Sequence, residues 1–150
     1  VKYDHPSVRD HLRFLSIHFD IPEDFLSPFL YQVGKNIRIL SGDIHAMEEG
    51  TLVHQGLTLA RLGKAATSLT TWGAQLIGRR AGKNKVNITE MKALRSYLAK
   101  MEFAADTCGE GQQIVCYKGH PLGHGLLKGG RLISKAKVSK ELIWPFILLH

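Results

Sequence analysis

Acidic side chains are missing from the middle of this chain: from Gly50 to Thr89, forty residues pass without one Asp or Glu, while Arg61, Lys64, Arg79, Arg80, Lys83 and Lys85 all fall inside. Such a stretch cannot supply the paired carboxylates that hold magnesium in a nuclease or phosphoryl-transfer site. It favours binding to phosphate over chemistry on phosphate. Cysteine is scarce too, with only Cys108 and Cys116, which is no disulfide framework and reads as a chain of a reducing compartment. No run of about 18 apolar residues occurs, so the pattern excludes a helical membrane span. The chain opens at Val1 in place of a methionine, which points to processing or trimming and leaves open a targeting sequence removed ahead of it.

What is present is enough for a core. The 150 residues, 44% of them hydrophobic, match one ordinary domain and not a disordered basic tail. The formal net charge is +7, and it is unevenly placed. Residues 1–50 carry −3, residues 51–100 carry +8 and residues 101–150 carry +2. Asymmetry of this kind speaks about partners: a basic surface attracts a polyanion and steers its association.

The pattern reads as mostly helix. Ser7 with Asp10 resembles a capping box, followed by Val8, Leu12, Leu15 and Phe19 at helical spacing. Pro22, Glu23 and Asp24 suit the start of a second helix whose apolar face runs through Phe25, Phe29, Leu30 and Val33 to Gly34. Asn36 to Glu49 reads as mixed loop and short helix. Thr51 to Ile77 forms the longest helical candidate, about 40 Å if unbroken, with Gly56, Ala60, Gly63 and Ala66 as a small-residue packing stripe. Asn87 with Glu90 resembles another capping box, opening a helix from about Ile88 to Asp106. Seven glycines lie between Gly109 and Gly130, so residues 109–137 read as an irregular basic segment with a short strand at Gln113 to Tyr117. A short apolar segment, Glu141 to Leu149, closes the chain around Pro145.

Candidate chemistry is thin. Cys108, Cys116, His120 and His124 are the right types for tetrahedral zinc, but a tight C-x2-C or C-x4-C knuckle is missing. His11 and His18 lie seven apart without a carboxylate to orient them and read as surface or boundary residues. The run 119-GHPLGHGLLKGG-130 lacks the Gly-Lys-Ser or Gly-Lys-Thr of a phosphate-binding loop, because Lys128 is followed by two glycines. Two basic groups remain as the RNA-binding candidates: Arg79, Arg80, Lys83 and Lys85, then Lys128, Arg131, Lys135 and Lys137. Both suit backbone phosphates rather than base edges. If about six duplex phosphates are neutralised, the log-log salt slope is near −5.

The order of elements, with a helix ending at His18-Phe19-Asp20-Ile21-Pro22, a second beginning near Phe25 and a long one entered through 49-EGTLVHQGLTLARLG-63, resembles the ribonuclease III endonuclease domain. The family's signature, Asn-Glu-x-Leu-Glu-x-Leu-Gly-Asp, laid with Leu52 and Gly56 in register, puts Gly50, Val53 and Leu57 where carboxylates should stand. The resemblance therefore implies a mainly α, single helical domain over residues 1–150 that cannot assemble the family's magnesium cluster. It further resembles the non-catalytic ribonuclease III-fold proteins of the fungal mitochondrial large ribosomal subunit. That likeness implies a mitochondrial matrix location and a structural role on ribosomal RNA, with no cofactor and no metal. Its implied partners are other ribosomal proteins, with a second ribonuclease III-like subunit as heterodimer partner, and no membrane. The alternative is an active metal-dependent double-stranded RNA endonuclease, using carboxylates such as Asp43, Glu48, Glu49 and Asp106, or an RNA-processing factor. A third is a scaffold whose basic face meets an acidic protein.

Overall fold

The computed structural model describes residues 1–41, 57–63, 67–105, 107 and 109–136. Helix α1, Pro6–Phe19, has Pro6 in its first turn and His5 as its cap, the His5 ring accepting from the Ser7 amide at 3.2 Å. Val8, Leu12, Leu15 and Phe19 form its buried face, as the spacing predicts. The second helix stops early. α2 covers only Glu23–Leu26, and the chain from Leu30 turns into strand β1, Leu30–Val33, followed by β2, Asn36–Ser41.

The long central helix is absent from the described part of residues 51–77. In its place stand β3, Leu57–Leu62, β4, Thr67–Leu69, and a short α3, Thr71–Ile77. The residues explain the difference: Leu57-Thr58-Leu59 and Thr67-Ser68-Leu69 alternate inward and outward at a period of two, and the β-branched threonines favour a pleated surface. Ala60, assigned to a helical packing stripe, is a buried strand residue; Gly56 and Ala66 lie outside the described residues. Strands β1 to β4 pair in order as one antiparallel sheet. Helix α3 packs onto it at Gly73, where a Cβ would collide with the Leu59 carbonyl oxygen.

A second sheet follows. It contains β5, Lys85–Ile88, β6, Phe103–Ala104, β7, Gly111–Tyr117, β8, His120–Lys128, and β9, Arg131–Ser134, in the order β5-β7-β8-β9-β6. β5 runs parallel to β7, and the crossover between them carries α4, Met91–Leu98. Asn87 does not cap that helix; it lies in β5, and its side chain accepts from the Gly119 amide at 2.8 Å. Residues 111–134, read from sequence as irregular apart from Gln113 to Tyr117, are three strands joined by two-residue turns. Lys118-Gly119 and Gly129-Gly130 all have positive φ, the geometry of a type I′ hairpin. Within β8, a Cβ on Gly123 would lie 2.5 Å from the Tyr97 hydroxyl, so this glycine lets α4 approach the sheet.

β7 joins the two halves. Ile114 and Cys116 enter the core shared with α1, α2 and the first sheet, while Val115 and Tyr117 face the second core beneath α4. A mainly α architecture is thus replaced by two β sheets with helices packed on them.

Candidate nucleic-acid interface

The two sheets meet across a buried amide. The Gln112 carboxamide donates to the Thr67 carbonyl at 2.6 Å and accepts from the Leu69 amide at 2.9 Å, so one side chain on β7 pairs with β4 as a strand would. His11 and His18 brace the same junction: the His11 ring meets the Thr67 hydroxyl at 2.8 Å, and the His18 ring meets the Gln112 carbonyl at 2.9 Å. Asn84 continues the network, donating to the His18 carbonyl at 2.6 Å and accepting from Gln113 at 3.0 Å.

Beside this junction opens a cleft of about 1060 Å³. One wall comes from the first half of the chain: Lys35 and Asn36 at the β1–β2 turn, Arg61 to Gly63 at the end of β3, Ser68 to Thr70 around β4, then Thr71 and Trp72. The other comes from Lys100 after α4, Gln112, His124, Leu126, and Ser134 to Ala136. Lys35, Arg61, Lys100 and Lys135 therefore converge from four elements, and no acidic residue is among the described lining.

Local chemistry fixes these groups. The Thr70 hydroxyl accepts from the Gly73 amide at 2.9 Å and donates to the Thr58 carbonyl at 2.5 Å, which ties the first turn of α3 to β3 and leaves the Trp72 side chain 47% exposed. Tyr97 donates to the His124 carbonyl at 3.0 Å, and its own carbonyl accepts from the Ser134 hydroxyl at 2.6 Å. Burial pushes the Tyr97 phenol above its ordinary range. Lys100 sits at φ 59°, donating from its amide to Tyr97 while Met101 donates to Ser96, a Schellman closure with lysine at the left-handed position.

The sequence-derived candidates are dispersed. Arg79 and Arg80 follow α3, with the Arg80 guanidinium 4.1 Å above the Phe25 ring and Arg79 3.4 Å from the His120 ring. Lys83 is exposed, and Lys85 donates to the Ala81 carbonyl at 3.2 Å. Lys128 and Arg131 flank the Gly129-Gly130 turn, where Arg131 pairs with Glu102 at 2.9 Å. Arg79 lies beside the Tyr117–His120 end of the β7–β8 ladder and Lys128 at its Gly111–Leu127 end, about 20 Å apart at roughly 3.3 Å per residue. Of the eight, Lys135 lines the cleft; Lys137 lies outside the described residues. Lys35, Arg61, Lys100 and Trp72 were not among the sequence-derived candidates. Arg61 had a signal, since it falls in the acid-free stretch.

Among the described residues, no group of three or more His, Cys, Asp or Glu could hold a metal ion. Of the zinc candidates, Cys108 lies outside the described residues, Cys116 is buried opposite Pro121, and His124 stands opposite Ile114.

Residues 83–141 match the family model of the methyltransferase RsmF PUA domain. The match runs from just before β5 to beyond β9, the second sheet and its helix. It supports an RNA-binding role and an RNA partner. It also overturns the ribonuclease III resemblance, since the matched family is an RNA-binding β fold and the structure lacks the mainly helical architecture that the resemblance requires. No curated protein matches the chain.

Proposed function

We propose that this chain is an RNA-holding module whose cleft between the two sheets grips the backbone and presents the RNA to a methyltransferase. The carrying observation is the convergence of Lys35, Arg61, Lys100 and Lys135 on one concave surface whose described lining has no opposing carboxylate. None of these four side chains makes an ion pair with a described acidic residue. Cations so placed neutralise phosphates and release counterions, which supplies affinity without reading sequence. The family match is to the PUA domain of a methyltransferase and not to its catalytic part, so methyl transfer is assigned to no residue here, and the chain's own task is binding.

A mitochondrial ribosomal setting and a ribonuclease III-like partner lose the resemblance that carried them. The carboxylates of the nuclease alternative, Asp43, Glu48, Glu49 and Asp106, lie outside the described residues. The deciding experiment titrates fluorescent RNA with the protein and with its Arg61→Glu/Lys135→Glu variant. Both positions are exposed, so the variant keeps its circular dichroism spectrum and melting temperature, and its RNA affinity falls at least tenfold. Undiminished affinity in a folded variant sinks the cleft as the RNA site.

A further inference from the structure

Resting on that RNA-holding reading, we infer that the cleft takes single-stranded RNA, with one base stacked on the Trp72 indole. A nucleobase inside a duplex is covered by its neighbours, whereas the bases of a single strand are splayed out and stack on aromatic side chains. Trp72 offers such a platform: it lines the cleft, it is about half exposed, and its backbone is anchored through Thr70 to β3. A π face without cations would be a generic apolar spot. Here Arg61 and Lys135 line the same concavity, so phosphates and a base are held together.

At about 1060 Å³ the cleft is slightly larger than the usual small-molecule site of about 300–1,000 Å³ and has room for a few nucleotides. The stacking platform lies outside residues 83–141, in the half of the chain the PUA model does not cover. The first sheet and α3 thus supply the aromatic contact, and the PUA-matching half supplies Lys100 and Lys135.

The test is a fluorescence anisotropy titration of the full chain with a labelled ten-nucleotide single-stranded RNA and with the same RNA annealed to its complement. The single strand binds more tightly, and Trp72→Ala weakens it by about 5- to 150-fold while leaving the salt slope unchanged, because stacking releases no counterions. Trp72→Phe retains most of the affinity. Tighter binding of the duplex, or a folded Trp72→Ala variant with unchanged affinity, overturns the stacking site, and the RNA-holding reading stands if Arg61→Glu/Lys135→Glu still weakens binding. Absence of binding to either RNA removes both.

Discussion

Replacing Lys100 by glycine pits stability against binding at a single residue. Lys100 ends α4 in a left-handed conformation, φ 59°, that an L side chain adopts at a cost of about 1–2 kcal/mol. Glycine removes that cost but gives up about 0.5–1 kcal/mol to the freer unfolded chain. The net gain is about 0–1.5 kcal/mol, or up to roughly 6 °C in melting temperature for a chain of this size. The same change deletes one of four cleft cations. With about 0.7 counterions released per phosphate of a single strand, four contacts give a log-log salt slope near −2.8, and three give about −2.1. At 0.1 M salt the lost contact weakens binding roughly fivefold. The assays are thermal unfolding by circular dichroism and RNA titrations between 50 and 200 mM salt. A variant that melts lower refutes the strain argument, and one that melts higher but keeps both its affinity and its slope refutes the assignment of Lys100 to the cleft.

Gln112→Ala removes the amide that joins β7 to β4 and leaves the Thr67 carbonyl and the Leu69 amide without their partner. At about 1–3 kcal/mol for each buried orphan, urea denaturation should show a loss of about 2–6 kcal/mol; a loss below 1 kcal/mol contradicts the role of this contact. Alkaline pH should also weaken the fold. Burial pushes the Cys116 thiol above its ordinary 9.0, with Lys85 and Arg79 pulling it down, and burial likewise raises Tyr31 and Tyr97 above 10.0. The unfolded chain therefore sheds these protons while the folded chain keeps them, so stability present below about pH 9 declines as pH rises. A melting temperature that holds constant from pH 8 to 11 speaks against it.

Legibility differed between elements for physical reasons. Helix α1 could be read because its buried residues recur on one face, and strand β7 because five residues from Gln113 to Tyr117 stand between glycine-rich turns. The central segment misled because Gly56, Ala60, Gly63 and Ala66 fit a helical period by chance, whereas the decisive signal was shorter: the two-residue alternation at 57–59 and 67–69. The glycines after Cys108 read from sequence as an irregular segment. Four of them, at positions 119, 123, 129 and 130, serve tight hairpins or the close approach of Tyr97, which only a packed neighbour reveals. Lys100 carries no glycine to announce the end of α4.

Composition alone determined the net charge of +7 and its concentration in the middle third, which favour a polyanionic partner, because net charge does not depend on how the chain is folded. Which cations act together was decided only by tertiary structure. Lys35 and Lys135 stand about a hundred residues apart in sequence and share one cleft because β7 pins the two sheets side by side. Arg79 and Lys128 belong to the two basic groups read from charge, and the β7–β8 ladder sets them at opposite ends. Short-range contact, unlike net charge, exists only once strands have found their partners.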